Sequence, residues 1–85
     1  MVDAAQPVTT VENEILDFLA ALPTPDQIFA FKVSDAVAER MRYLRDGNRN
    51  GRLTTEEIAE FDEALRWEHF MRMLKGKVYE KTSSK

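Results

Sequence analysis

Between Ser34 and Lys75 the chain is written as two helices joined by one short loop, and this constrains its fold more than any other feature. In the run Asp46-Gly47-Asn48-Arg49-Asn50-Gly51-Arg52-Leu53-Thr54-Thr55-Glu56-Glu57, Gly51 offers the positive φ of a tight turn. Thr54, with Glu57 three residues later, forms a capping box, and Leu53 is placed to staple onto Ile58. Before the loop, Val37, Met41 and Leu44 recur at helical spacing; after it, so do Ile58, Phe61 and Leu65. The pattern predicts an all-α fold: a small helical domain with a helix-loop-helix hairpin from residue 34 to 75.

Cap signals divide the rest. Thr9 with Glu12 reads as a capping box opening a first helix at Thr10 or Val11, which runs to Leu22. Val11, Ile15, Phe18, Leu19 and Leu22 make its apolar stripe. Pro23-Thr24-Pro25 ends it; Thr24 caps a short helix with Pro25 in first position and Gln27 completing the box. That helix reaches about Phe31, and Ser34 caps a third from Asp35 to about Arg45. The fourth runs from Thr55 to about Lys75, with Gly76 as its C-cap. The expected organisation is a flexible arm over 1–8, one helical domain over 9–76 and a frayed basic tail over 77–85.

With 85 residues the chain is near the size at which a single core only just suffices, and it has no cysteine to cross-link or hold a metal through thiolate. Hydrophobic content of 44% and charge of 32% fit a globular rather than a disordered chain. No apolar run approaches the roughly 20 residues of a membrane helix, and the first residues lack the basic and apolar blocks of a signal peptide. A cytoplasmic protein is expected. Residues 1–65 carry 13 acidic and 6 basic side chains, whereas Arg66, Arg72, Lys75, Lys77, Lys81 and Lys85 stand against only Glu68 and Glu80 beyond them. The acidic body argues against nucleic-acid binding, whose affinity comes largely from phosphate neutralisation.

Residues 46–57 also satisfy D-x-[DN]-x-[DN]-G-x5-E, the calcium-loop pattern. Asp46, Asn48, Asn50, the Arg52 carbonyl, Thr54 and Glu57 would be the ligands. Against this, only Asp46 and Glu57 bring charge, Arg45, Arg49 and Arg52 crowd the site, and no second loop exists for Leu53 to pair with. Calcium is therefore the alternative reading, and no cofactor is the leading one.

The fourth helix has a peculiarity. At roughly 100° per residue, Ile58, Phe61 and Leu65 cluster on one side, and Trp67, Phe70, Met71, Leu74 and Val78 about 150° away. A buried face that rotates meets two neighbours. The second cluster needs the first helix, a second copy or another protein. Trp67, Phe70, Met71 and Leu74 are the candidate partner-binding residues, because aromatic and Met residues are enriched on such surfaces. His69 is the lone histidine and extends the line of Ile58 and Leu65 as a packed ring; without cysteine it cannot assemble a zinc site of three or four N/S ligands. No serine or cysteine nucleophile is evidently placed to use it, so enzymatic activity is not expected. Glu68 is expected to pair with Arg72, and Asp62 with Arg66, at i, i+4.

From about Leu22 to Lys77 the chain resembles a family of short bacterial helical proteins of unestablished function. The likeness rests on Pro23, Ser34, Asn48-Arg49, Gly51, Leu53-Thr54, Glu56-Glu57, Phe61-Asp62, Glu68-His69 and Leu74-Lys75. Some such proteins are encoded beside HNH-type nucleases, which implies an accessory or inhibitor role. In that family positions 46 and 50 vary, which would make the calcium pattern incidental. The expected function is a non-enzymatic interaction or regulatory module that binds another protein or itself.

Overall fold

The computed structural model describes residues 9–83, so the arm expected over 1–8 and the last two residues of the expected tail lie outside the described residues. Four helices follow one another: α1 Val11–Ala20, α2 Pro25–Ala30, α3 Asp35–Arg49 and α4 Thr55–Ser83. α1, α2 and α3 all pack on α4, so the longest helix is the spine of an all-α domain.

Each helix starts where a side chain can take an orphan amide. Thr24 and Gln27 close the expected reciprocal box, with Pro25 leading the helix. Ser34 Oγ accepts the Val37 N–H, and Thr54 Oγ1 accepts the Glu57 N–H. The start of α1 differs: its cap is Thr10, which accepts from the Asn13 N–H, not Thr9. One turn in, Glu14 makes a tertiary contact. Its two oxygens take the Ser34 N–H at 2.8 Å and the Ser34 hydroxyl at 2.7 Å, tying α1 to the cap of α3.

α3 runs four residues beyond the expected Arg45, and its end explains the loop sequence. Asn50 is the C-cap, Gly51 has φ +66°, the Gly51 N–H bonds the Asn48 carbonyl, and the Arg52 N–H bonds the Gly47 carbonyl. That pair of bonds is a Schellman motif. Gly47 is buried in the last turns, and Leu53 packs so close over it that a Cβ there would collide with the leucine side chain. The end of α1 meets the same demand with the wrong residue. Leu22 follows the C-cap Ala21, bonds the Leu19 carbonyl and takes φ +58° while 87% exposed. It is not the apolar anchor that spacing predicts. Opposite shifts in melting temperature should follow from the two sites. Gly51→Ala should cost about 1 kcal/mol although nothing lies within 4 Å of its Cβ position, and Leu22→Gly should return up to about 1 kcal/mol.

The core consists of Val11 and Ile15 from α1, Val37, Met41 and Leu44 from α3, and Phe61, Ala64 and Met71 from α4. Ile15 is 1% exposed and Leu44 0%. Phe18 and Phe31 add a tilted ring contact at 4.6 Å, and the Lys75 ammonium donates to the Phe31 carbonyl beyond α2. Gly76 does not end α4, which continues to Ser83, where a frayed tail is expected from residue 77. A helical glycine costs about 1 kcal/mol; just before it Leu74 packs against the core and Lys75 bonds the Phe31 carbonyl. No helix among the described residues is long and apolar enough to cross a membrane.

Candidate interaction surface

Burial along α4 departs from the two opposed clusters that spacing predicts. Phe61 is buried, but its expected companions Ile58 and Leu65 are 47% and 38% exposed. Met71 is buried, Trp67 and Leu74 are half-buried against the core, and only Phe70 of the expected partner face is exposed. The inward face is a single stripe, Phe61-Ala64-Trp67-Met71-Leu74-Val78, stepping by three and four. Ala64 is the link that a reading of large side chains overlooks. It lies on the helix between Phe61 and Met71, and it is buried. The expected partner face is therefore core, covered by α1 as well as α3.

The outward face carries the exposed apolar residues. Ile58, Leu65, Phe70 and Met73 fall on that side, and Leu65, Arg66, His69, Phe70 and Met73 line one shallow open groove. His69 is thus exposed at the centre of this face rather than packed in the interior. Phe70 is steadied by an edge-on contact with Trp67 at 5.5 Å, and the Trp67 indole N–H donates to Glu63. Glu63 also receives Arg66, and these two donors hold its carboxyl below the usual glutamate range, Arg66 contributing most. Arg66 therefore turns to Glu63 instead of the expected Asp62, and Glu68 reaches across to Arg45 on α3 at 3.7 Å instead of Arg72.

A polar staple that spacing does not signal joins α3 to α4. Arg40 is buried, and its guanidinium donates through Nε and Nη2 to the two oxygens of Glu60 at 2.9 and 2.8 Å. Glu57 lies 3.7 Å away and accepts the Tyr43 hydroxyl. The one clue in the sequence is that Arg40 stands beside Met41, three after Val37 and four before Leu44, at the edge of the apolar stripe.

The same staple decides what the loop residues are for. Asp46 and Asn48 belong to the last turns of α3. The Asp46 carboxylate meets Arg49, and the Asn50 amide donates to the Asp46 carbonyl. Glu57 spends one oxygen on the Thr54 N–H and the other on Tyr43. Thr54 takes part in the cap, and Arg52 donates its N–H to Gly47. So arranged, these residues terminate one helix and start the next.

Glu57 makes this checkable by pH. The Thr54 N–H first, then the Tyr43 hydroxyl and Arg40, hold its carboxyl below the ordinary glutamate value. The unfolded chain therefore binds the proton more readily in acid. The resulting stability is present above the unfolded value near 4.5 and is lost as pH falls through the lower folded value. Glu57→Gln retains an oxygen for the Thr54 N–H and should flatten the acid limb of a denaturation-midpoint profile.

Compared with protein-family models, curated proteins and solved structures, the chain matches none. What the fold and surface define is a small all-α domain whose longest helix is packed on one side and bare on the other.

Proposed function

We propose that the protein is a non-enzymatic interaction module that docks another polypeptide on the outward face of α4. One observation carries the reading. Ile58, Leu65, Phe70 and Met73 stand 38–55% exposed along one side of a helix whose other side packs on its own domain from Phe61 to Leu74. Single exposed apolar residues are ordinary, but several along one helix side, around a groove, are the surface a partner helix or strand covers. The polar groups support the same reading, because Arg40, Glu57, Glu60 and Tyr43 are engaged in structural pairs between α3 and α4.

The test is made in the native cell. A tagged protein at its natural level is cross-linked, and wild type is compared with Met73→Asp and with Glu39→Ala, a change at an exposed residue of α3. The reading expects a discrete adduct that survives Glu39→Ala and disappears with Met73→Asp. An adduct pattern indifferent to Met73→Asp would remove the outward face from the function.

A further inference from the structure

Resting on that reading, we infer that the polypeptide covering the outward face of α4 is a second copy of the same chain, laid antiparallel along it. The argument is the charge order of the helix. Thr55 to Ala64 carries five carboxylates and no cation. Of these, Glu57 and Glu60 share Arg40 and Glu63 takes Arg66, so that Asp62 is the acidic group left on the outward side. Leu65 to Ser83 carries five cations against two carboxylates. Two such helices side by side and parallel set acid on acid and base on base. Turned antiparallel, each acidic start lies on the other's basic end.

The geometry gives this pairing a centre. α4 spans Thr55–Ser83, and its midpoint is His69, in the middle of the exposed groove. A two-fold axis there overlaps the helices along their full length of roughly 43 Å. It sets Leu65 opposite Met73 of the second copy and Asp62 opposite Gly76 and Lys77. Asp62 and Lys77 are both exposed, and among the described residues neither pairs with another side chain. Gly76 adds a reason for close approach. It falls on the Leu65–Met73 side of the helix, nothing of its own chain lies within 4 Å of its Cβ position, and a glycine there weakens the helix without serving the domain's own packing.

The experiment uses the full chain. Sedimentation velocity from about 10 µM to about 0.5 mM should show monomer converting to dimer, at the weak end expected of a small interface. Met73→Asp should weaken the dimer at least about tenfold, while circular dichroism and melting stay those of wild type. Asp62→Lys and Lys77→Glu alone should each weaken it several-fold, and together in one chain they should restore it. Because the chain has no cysteine, direction can be read from disulfides. A mixture of Leu65→Cys and Met73→Cys proteins should form the mixed disulfide in preference to either homodimer.

A wild type that stays monomeric throughout overturns the second copy as occupant. Preferential homodisulfides overturn the antiparallel order, as does a double charge reversal no better than the singles. A monomer whose native-cell adduct is still lost on Met73→Asp ends this inference and leaves the interaction reading standing. Indifference of both measurements to Met73→Asp ends both.

Discussion

Leu44→Ala should cost about 3 kcal/mol, the middle of the range for emptying a fully buried leucine site. Leu44 is 0% exposed and lies where α3 meets α4, between Met41 and the loop. A domain of this size has only about 5 kcal/mol to lose, so the variant should keep only about 2 kcal/mol and be a few per cent unfolded at 37 °C. Urea titration followed by circular dichroism measures it. A loss below about 1 kcal/mol would mean that the α3–α4 contact is not the centre of the core.

Arg40→Ala is the second large effect, at about 2–3 kcal/mol. The loss has two parts. Glu60 and Glu57 keep their charges without the cation that faces them, and the aliphatic stem of Arg40 no longer fills the space between α3 and α4. That space already borders a partly open cavity of about 180 Å³ lined by Thr10, Val37, Trp67 and the Arg40–Glu60 pair. Arg40→Met fills the volume without the charge and should recover part of the loss. In a double-mutant cycle, Arg40→Ala and Glu60→Ala should be coupled by about 1–2 kcal/mol. Simple additivity would mean that the bidentate pair contributes nothing beyond packing.

The sequence spoke most clearly where a single local interaction decides the outcome. Thr24, Ser34 and Thr54 each satisfy an amide three residues on, and all three helix starts follow from that fact. Val37, Met41 and Leu44 needed only helical periodicity to be recognised as a core face. Thr9 and Thr10 were harder to separate, because both can cap. The structure uses Thr10, whose hydroxyl accepts the Asn13 N–H. Gly76 failed as a stop signal because one residue's propensity is a weak term in a helix of 29 residues whose Leu74 is packed against the core.

The surface was the least legible part. Met71 and Met73 are both apolar and two residues apart, yet one is 5% exposed and the other 55%. Composition treats them alike; only the packing of the other helices on α4 tells inside from outside. The loop carries a comparable ambiguity. A Schellman motif followed by a capping box uses Asn, Gly, Thr and Glu at the spacings that a cation loop also uses. In the structure the Glu57 oxygens lie on the Thr54 N–H and the Tyr43 hydroxyl.

Those two methionines provide the most direct measurement of the central claim, that the outward side of α4 is the docking face and the inward side is core. Met71→Asp and Met73→Asp are compared with wild type by thermal melting and by sedimentation velocity at high concentration. Met71→Asp places a charge among buried residues and should leave the chain largely unfolded. Met73→Asp should melt within a few degrees of wild type and sediment as a monomer where wild type associates. If Met73→Asp unfolds together with Met71→Asp, or folds and associates as strongly as a wild type that dimerises, the outward side of α4 is not the docking face.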